Sequence, residues 1–114
     1  MKIKLPFKFG KVIFEKDVEL TFKLASLEVA TLDILGCDLW GAGEFPIEQV
    51  NTAILFAAYV TACKDKYHKP KYTLKDAEFW ISHMNKDSQL EFAKAIAELM
   101  GRMKKTEGKE EKKK

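Results

Sequence analysis

The chain has 114 residues, 46% hydrophobic and 32% charged, with a formal net charge of +3. That is the length of one domain with a real core, in proportions ordinary for a globular protein. Residues 104–114 hold six Lys and three Glu, so the rest of the chain is neutral, which argues against a nucleic-acid-binding face on the folded body.

From Lys2 the pattern has period two, with Ile3, Leu5, Phe7 and Phe9 on one face and Lys2, Lys4 and Lys8 on the other. This predicts a half-buried strand, placed at an edge because Pro6 lacks a donor and the lysines discourage further pairing. After Gly10, Lys11 to Glu15 reads as a second strand with Val12 and Phe14 inward. Lys16-Asp17 reads as a polar turn, and Val18 to Leu24 alternates again with Val18, Leu20, Phe22 and Leu24 inward. Two or three such strands need helices over their apolar face.

The period changes at Ser26, a plausible N-cap, and Leu27, Ala30 and Ile34 then share a helical face that Leu24, Val29 and Leu35 widen. Gly36 ends that helix. Cys37 to Phe45 is a loop in which Trp40 lacks a local partner; such a residue more often folds back onto the core than meets another protein.

The stretch QVNTAILFAAYVTAC, Gln49 to Cys63, carries no charge and is apolar at every position from Ala53 to Val60. A helix apolar all round must be covered on several sides, so a central helix is expected from Pro46 to Lys66. The run falls short of the ~20 apolar residues that span a bilayer, which excludes a transmembrane reading.

Beyond a polar connection containing Pro70, Thr73 and Asp76 frame the start of a helix to Met84, with Leu74, Ala77, Ile81 and Met84 together and Trp80 beside them. Asn85-Lys86-Asp87 breaks it. Ser88 with Glu91 reads as a capping box for a last helix to about Lys104, with Phe92, Ile96, Leu99 and Met103 buried. Residues 105–114 have no apolar side chain and are expected to be a disordered tail. The expected fold is a single α+β domain over residues 1–104, mainly α. A small antiparallel hairpin or sheet comes first, then about four helices around the central apolar one.

Little in the sequence points to catalysis. Cys37, Cys63, His68 and His83 lack the close ligand pairs of a zinc site, so packed thiols and surface imidazoles are the better account, and no metal or other cofactor is expected. A Cys63–His68 nucleophile would need an orienting third group, and Cys63 ends an apolar helix where thiols are usually inert. The segment Gly41-Ala42-Gly43 precedes a helix, but Glu44 and Glu48 at its mouth would repel phosphate. In KLPFKFGK the aromatic and basic residues fall on opposite strand faces, which does not suit stacking on single-stranded nucleic acid. Two cysteines do not make a disulfide framework, and MKIKLPFKF has no continuous apolar run of the signal-peptide kind, so a cytoplasmic protein is expected. Residues spent on packing and surfaces point to binding.

The order of elements carries a resemblance. A hairpin ends in VELTFKLASLEVATLDILGCDL, a strand running into an amphipathic helix. The apolar helix PIEQVNTAILFAAYVTACKDK follows, and TLKDAEFWISHMNKDSQLEFAKAIAELMGRM supplies a short helix, a capped break and a last helix. Over about Lys11 to Lys104 this layout resembles the small tail assembly chaperones of long-tailed bacteriophages and prophages, a family without a catalytic signature. The resemblance implies a non-enzymatic protein of the host cytoplasm that binds the tape-measure protein, keeps its apolar helices in solution, helps recruit tail-tube subunits and self-associates. The alternative is a small phage or bacterial interaction or regulatory module with another partner. Contact residues expected on the chaperone reading are Trp40, Phe45, Tyr67, Tyr72 and Phe79, against ordinary packing for each, and the alternative module would bind its partner through the Trp40 loop.

Overall fold

The computed structural model describes residues 1–37 and 44–112, with side chains described through residue 101. Strands β1 (Lys2–Phe9) and β2 (Val12–Glu19) form one antiparallel hairpin. Helix α1 (Leu24–Glu28) runs into a π-helical segment (Val29–Leu35), and α2 (Ile47–Asp65), α3 (Leu74–His83) and α4 (Lys86–Lys112) follow. The class is α+β, mainly α, as the sequence predicts.

The hairpin corrects the strand assignment. β2 is one strand through Lys16 and Asp17, where a turn is expected, and the sheet has two strands. The register explains it. Asp17 lies opposite Lys4 and Glu19 opposite Lys2, so charges that read as a turn are cross-strand partners. Lys16 lies opposite Leu5 on the apolar face, its ammonium 5.8 Å and 5.6 Å from the ring centroids of Phe7 and Phe14. Gly10, at φ +62°, opens the two-residue turn in the left-handed conformation that glycine adopts without strain.

Met1 and Leu20 exchange both backbone hydrogen bonds at 2.8 Å. Alternation along an antiparallel ladder then makes Ile3/Val18, Leu5/Lys16, Phe7/Phe14 and Phe9/Val12 the bonded pairs and turns the backbone groups of Lys4 and Pro6 outward. Pro6 therefore removes no ladder bond, in keeping with its expected edge position. The Ser88 hydroxyl donates to the outward Lys4 carbonyl at 2.7 Å, tying the start of α4 to the sheet.

Two helix starts differ from expectation. The N-cap of α1 is Lys23, with Ser26 inside the helix, where its buried hydroxyl donates to the Thr21 carbonyl at 2.7 Å and adjoins Thr61 Oγ1 at 3.1 Å. At α4, Asn85 caps, its side-chain oxygen accepting the Ser88 N–H at 2.7 Å, which leaves Ser88 free to reach the strand. The Thr73–Asp76 box on α3 forms as expected, and Gly36, at φ +70°, ends the π-helical segment. Within that segment Thr31 Oγ1 donates to the Leu27 carbonyl at 2.9 Å, competing for an acceptor of the α-helical pattern where the turn widens. The α4 backbone continues through Lys112, past Lys104, where the sequence places the helix end and the tail; Lys and Glu extend an existing helix at small cost.

α2 is the centre of the fold. Thr52, Ala53, Ile54, Leu55, Ala57, Ala58, Tyr59, Thr61 and Ala62 are buried, which covers it on several sides. Small residues at Ala57 and Ala58 let the chain after β2 approach closely enough for the Thr21 N–H to reach the Ala58 carbonyl at 3.0 Å. Ile3, Leu5, Val18 and Leu20 from the hairpin, Trp80 from α3, and Phe92 and Leu99 from α4 complete the core. Among the described residues no helix is long and apolar enough to cross a membrane.

Candidate functional site

One face of the hairpin carries Ile3, Leu5, Phe7 and Phe9 from β1 and Val18, Lys16, Phe14 and Val12 from β2, because directly opposed residues share a face. Its proximal half is covered: Ile3, Leu5 and Val18 are buried, and Phe7 packs on Tyr72 (4.8 Å between centroids) and edge-on to Trp80 (5.8 Å). The distal half projects past that cover. Phe9 is 81% exposed and Val12 63%, with Phe14 exposed beside them, its ring stacked on Phe7 at 6.0 Å. Ile13, on the opposite face, is 53% exposed, so the hairpin end is apolar on both sides.

Sequence alternation marks Phe9, Val12 and Phe14 as core, and the structure corrects this. The period identifies which side chains share a face, but how far the covering helices reach is a tertiary fact. Leu24, expected inward, is likewise exposed, since the chain leaves the sheet before it and enters α1.

Lys8, Lys11 and Lys16 surround the hairpin end, and among the described residues none of them forms an ion pair. Glu15, the nearby acid in the strand, is hydrogen-bonded by the Asn85 side chain. Tyr72, which seats Phe7, is flanked in sequence by Lys69, Lys71 and Lys75, all exposed. Asp76, in the same segment, is held in its box with Thr73.

The described contact candidates differ in their surroundings. Tyr72 belongs to an aromatic cluster with Phe7, Tyr59 and Trp80. Phe79 is half-buried and stacks on His83 at 4.2 Å. Phe45 is half-buried before α2, and Trp40 lies outside the described residues. Tyr67 alone stands out, 98% exposed. It adopts φ +57° where α2 ends, with its N–H on the Lys64 carbonyl (3.1 Å) and the His68 N–H on the Cys63 carbonyl (2.8 Å). This is the Schellman closure, with tyrosine where glycine is usual.

The Cys63–His68 pair is joined through that backbone bond, and the Cys63 side chain adjoins Tyr59. Burial pushes the Tyr59 phenol above its usual value; the Lys71 and Tyr72 N–H donors pull it partly back, and Cys63 adds to the rise. Among the described residues no cluster of three His, Cys, Asp or Glu is arranged to hold a metal ion. A second apolar feature is a cleft of about 490 Å³ lined by Asn51 of α2, Ile81 of α3, Met84, and Phe92 and Ile96 of α4. Its polar lining residues, Asn51 and Gln89, are uncharged. Comparison with protein-family models, with curated proteins and with solved structures gives no match.

Proposed function

We propose that this chain is a non-enzymatic tail assembly chaperone of the long-tailed phage type, which binds the apolar helices of a tape-measure protein and helps bring tail-tube subunits to it. The observation that carries the reading is the hairpin end, where Phe9, Val12, Ile13 and Phe14 stand outside the core. Large apolar side chains grouped in this way lower solubility unless a partner covers them, and a chaperone for apolar helices needs such a surface. Hairpin, amphipathic helix, apolar central helix, short helix and long last helix also follow one another in the order on which the resemblance rests. Self-association, cytoplasmic action and the absence of a cofactor belong to the same proposal.

Co-expression with the tape-measure gene of the same genome tests it. The expected result is a soluble client that co-elutes with this chain on size exclusion; an insoluble client and no complex refute it. The second reading, a regulatory module for another partner, is favoured by the small extent of the hairpin end, which suits one short contact. Gene neighbourhood separates the two: flanking tail-tube and tape-measure genes support the chaperone.

A further inference from the structure

The geometry points to an acidic amphipathic helix of a partner protein as the occupant of the distal hairpin face, with its apolar side on Phe9, Val12 and Phe14 and its carboxylates toward Lys11 at the turn and Lys16 on the same face. This rests on the protein-binding reading above and names the chemistry of the bound segment. The face is continuous with one already covered by helices, since the same strands bury Ile3, Leu5 and Val18 proximally. A two-stranded sheet with one apolar face is completed by a helix, and among the described residues no helix covers the distal half.

Charge then selects which helix. Among the described residues Lys11 and Lys16 form no ion pair, and Lys69, Lys71 and Lys75, all exposed, flank in sequence the tyrosine that seats Phe7. The acids of β2, Glu15 and Asp17, lie opposite Pro6 and Lys4 on the other face of the hairpin, and Asp76 is held in its box with Thr73. A basic helix would meet unpaired like charge on two elements, whereas an acidic one would meet complementary charge on both.

The test uses two fluorescent helical peptides with the same leucine face, one flanked by Glu and the other by Lys, titrated with the full chain. The Glu-flanked peptide is expected to bind about tenfold tighter at low salt, with the preference shrinking in 1 M salt as the Debye length falls to about 3 Å. Phe9→Thr with Val12→Thr should weaken both peptides by about tenfold, and Lys11→Glu with Lys16→Glu should abolish or reverse the preference. Unchanged circular dichroism and melting would show that these variants fold. Equal affinity for the two peptides, or affinity indifferent to the Phe9 and Val12 changes, overturns the inference. So does retention on phosphatidylserine vesicles, or hairpin-dependent self-association, with neither peptide bound. A Phe9→Thr, Val12→Thr chain that still rescues the tape-measure client removes the hairpin as docking site and leaves the chaperone reading. Acid-selective peptide capture without client rescue does the reverse.

Discussion

Replacing Tyr59 by Phe tests how the aromatic cluster is joined to the connection before α3. The ring would keep its neighbours, Tyr72 at 5.3 Å, Trp80 at 5.9 Å and Phe56 at 6.2 Å between centroids. What disappears is one oxygen that accepts the N–H of Lys71 at 2.6 Å and of Tyr72 at 3.3 Å. A buried donor left unpaired costs about 1–3 kcal/mol; both donors are only partly buried and the second bond is long, so we expect about 1–2 kcal/mol in all. For a domain near this size that lowers Tm by roughly 5–10 °C. The pH dependence supplies an independent check. The folded-state pKa of Tyr59 is raised above the model-compound value of 10.0, mainly by burial. The unfolded chain therefore loses this proton first, and the stabilisation, complete below that value, is lost as pH rises through the folded pKa. Urea titrations of both chains between pH 8 and pH 11 should show the advantage of the wild type shrinking at the alkaline end. Other tyrosines and lysines titrate in both and cancel in the difference. Equal stability at pH 8, or a gap that stays constant with pH, would refute the reasoning.

Tyr67→Gly should raise stability by about 1 kcal/mol in chemical denaturation, because the residue is left-handed at φ +57° and its fully exposed side chain packs on nothing. Ser88→Ala should lower stability by about 1 kcal/mol and speed amide exchange along β1, since the outward Lys4 carbonyl loses its donor while the Asn85 cap remains. Phe9→Thr with Val12→Thr should leave Tm almost unchanged, within about 0.5 kcal/mol, as both side chains stand largely in solvent and threonine keeps the strand preference. A large loss there would mean that the hairpin end supports the fold.

Local chemistry made much of the fold legible. The uncharged run between Gln49 and Cys63 fixes α2 because no other element could bury a stretch apolar on every side. Thr73 with Asp76 marks the start of α3 through a contact three residues long, and Gly36 ends the first helical region for a reason contained in its own backbone. The misreadings are non-local. Lys16 and Asp17 look like a turn until Leu5 and Lys4 stand opposite them. Ser26 and Ser88 look like N-caps, yet each spends its hydroxyl on another part of the chain, the Thr21 carbonyl and the Lys4 carbonyl, while Lys23 and Asn85 take the cap positions.

The proposed contact surface was hidden for the same physical reason. Along β1 the side chains Ile3, Leu5, Phe7 and Phe9 form one unbroken period-two series, yet the first two are buried and the last is almost wholly exposed. Periodicity reports the face a side chain lies on; cover depends on how far the helices extend beside the strands. Here Tyr72 and Trp80 reach Phe7, and the hairpin continues beyond them to Gly10. An edge kept only for solubility would carry charge at its end, as Lys2 and Lys4 do along the outer face. This one carries Phe9, Val12 and Ile13 with lysines around them, the arrangement from which an apolar and acidic partner is proposed. On the proposed reading, contact residues in a chain of this kind lie where an apolar series outruns its cover, a feature that reading single aromatic residues such as Phe45 and Phe79 along the sequence does not reveal.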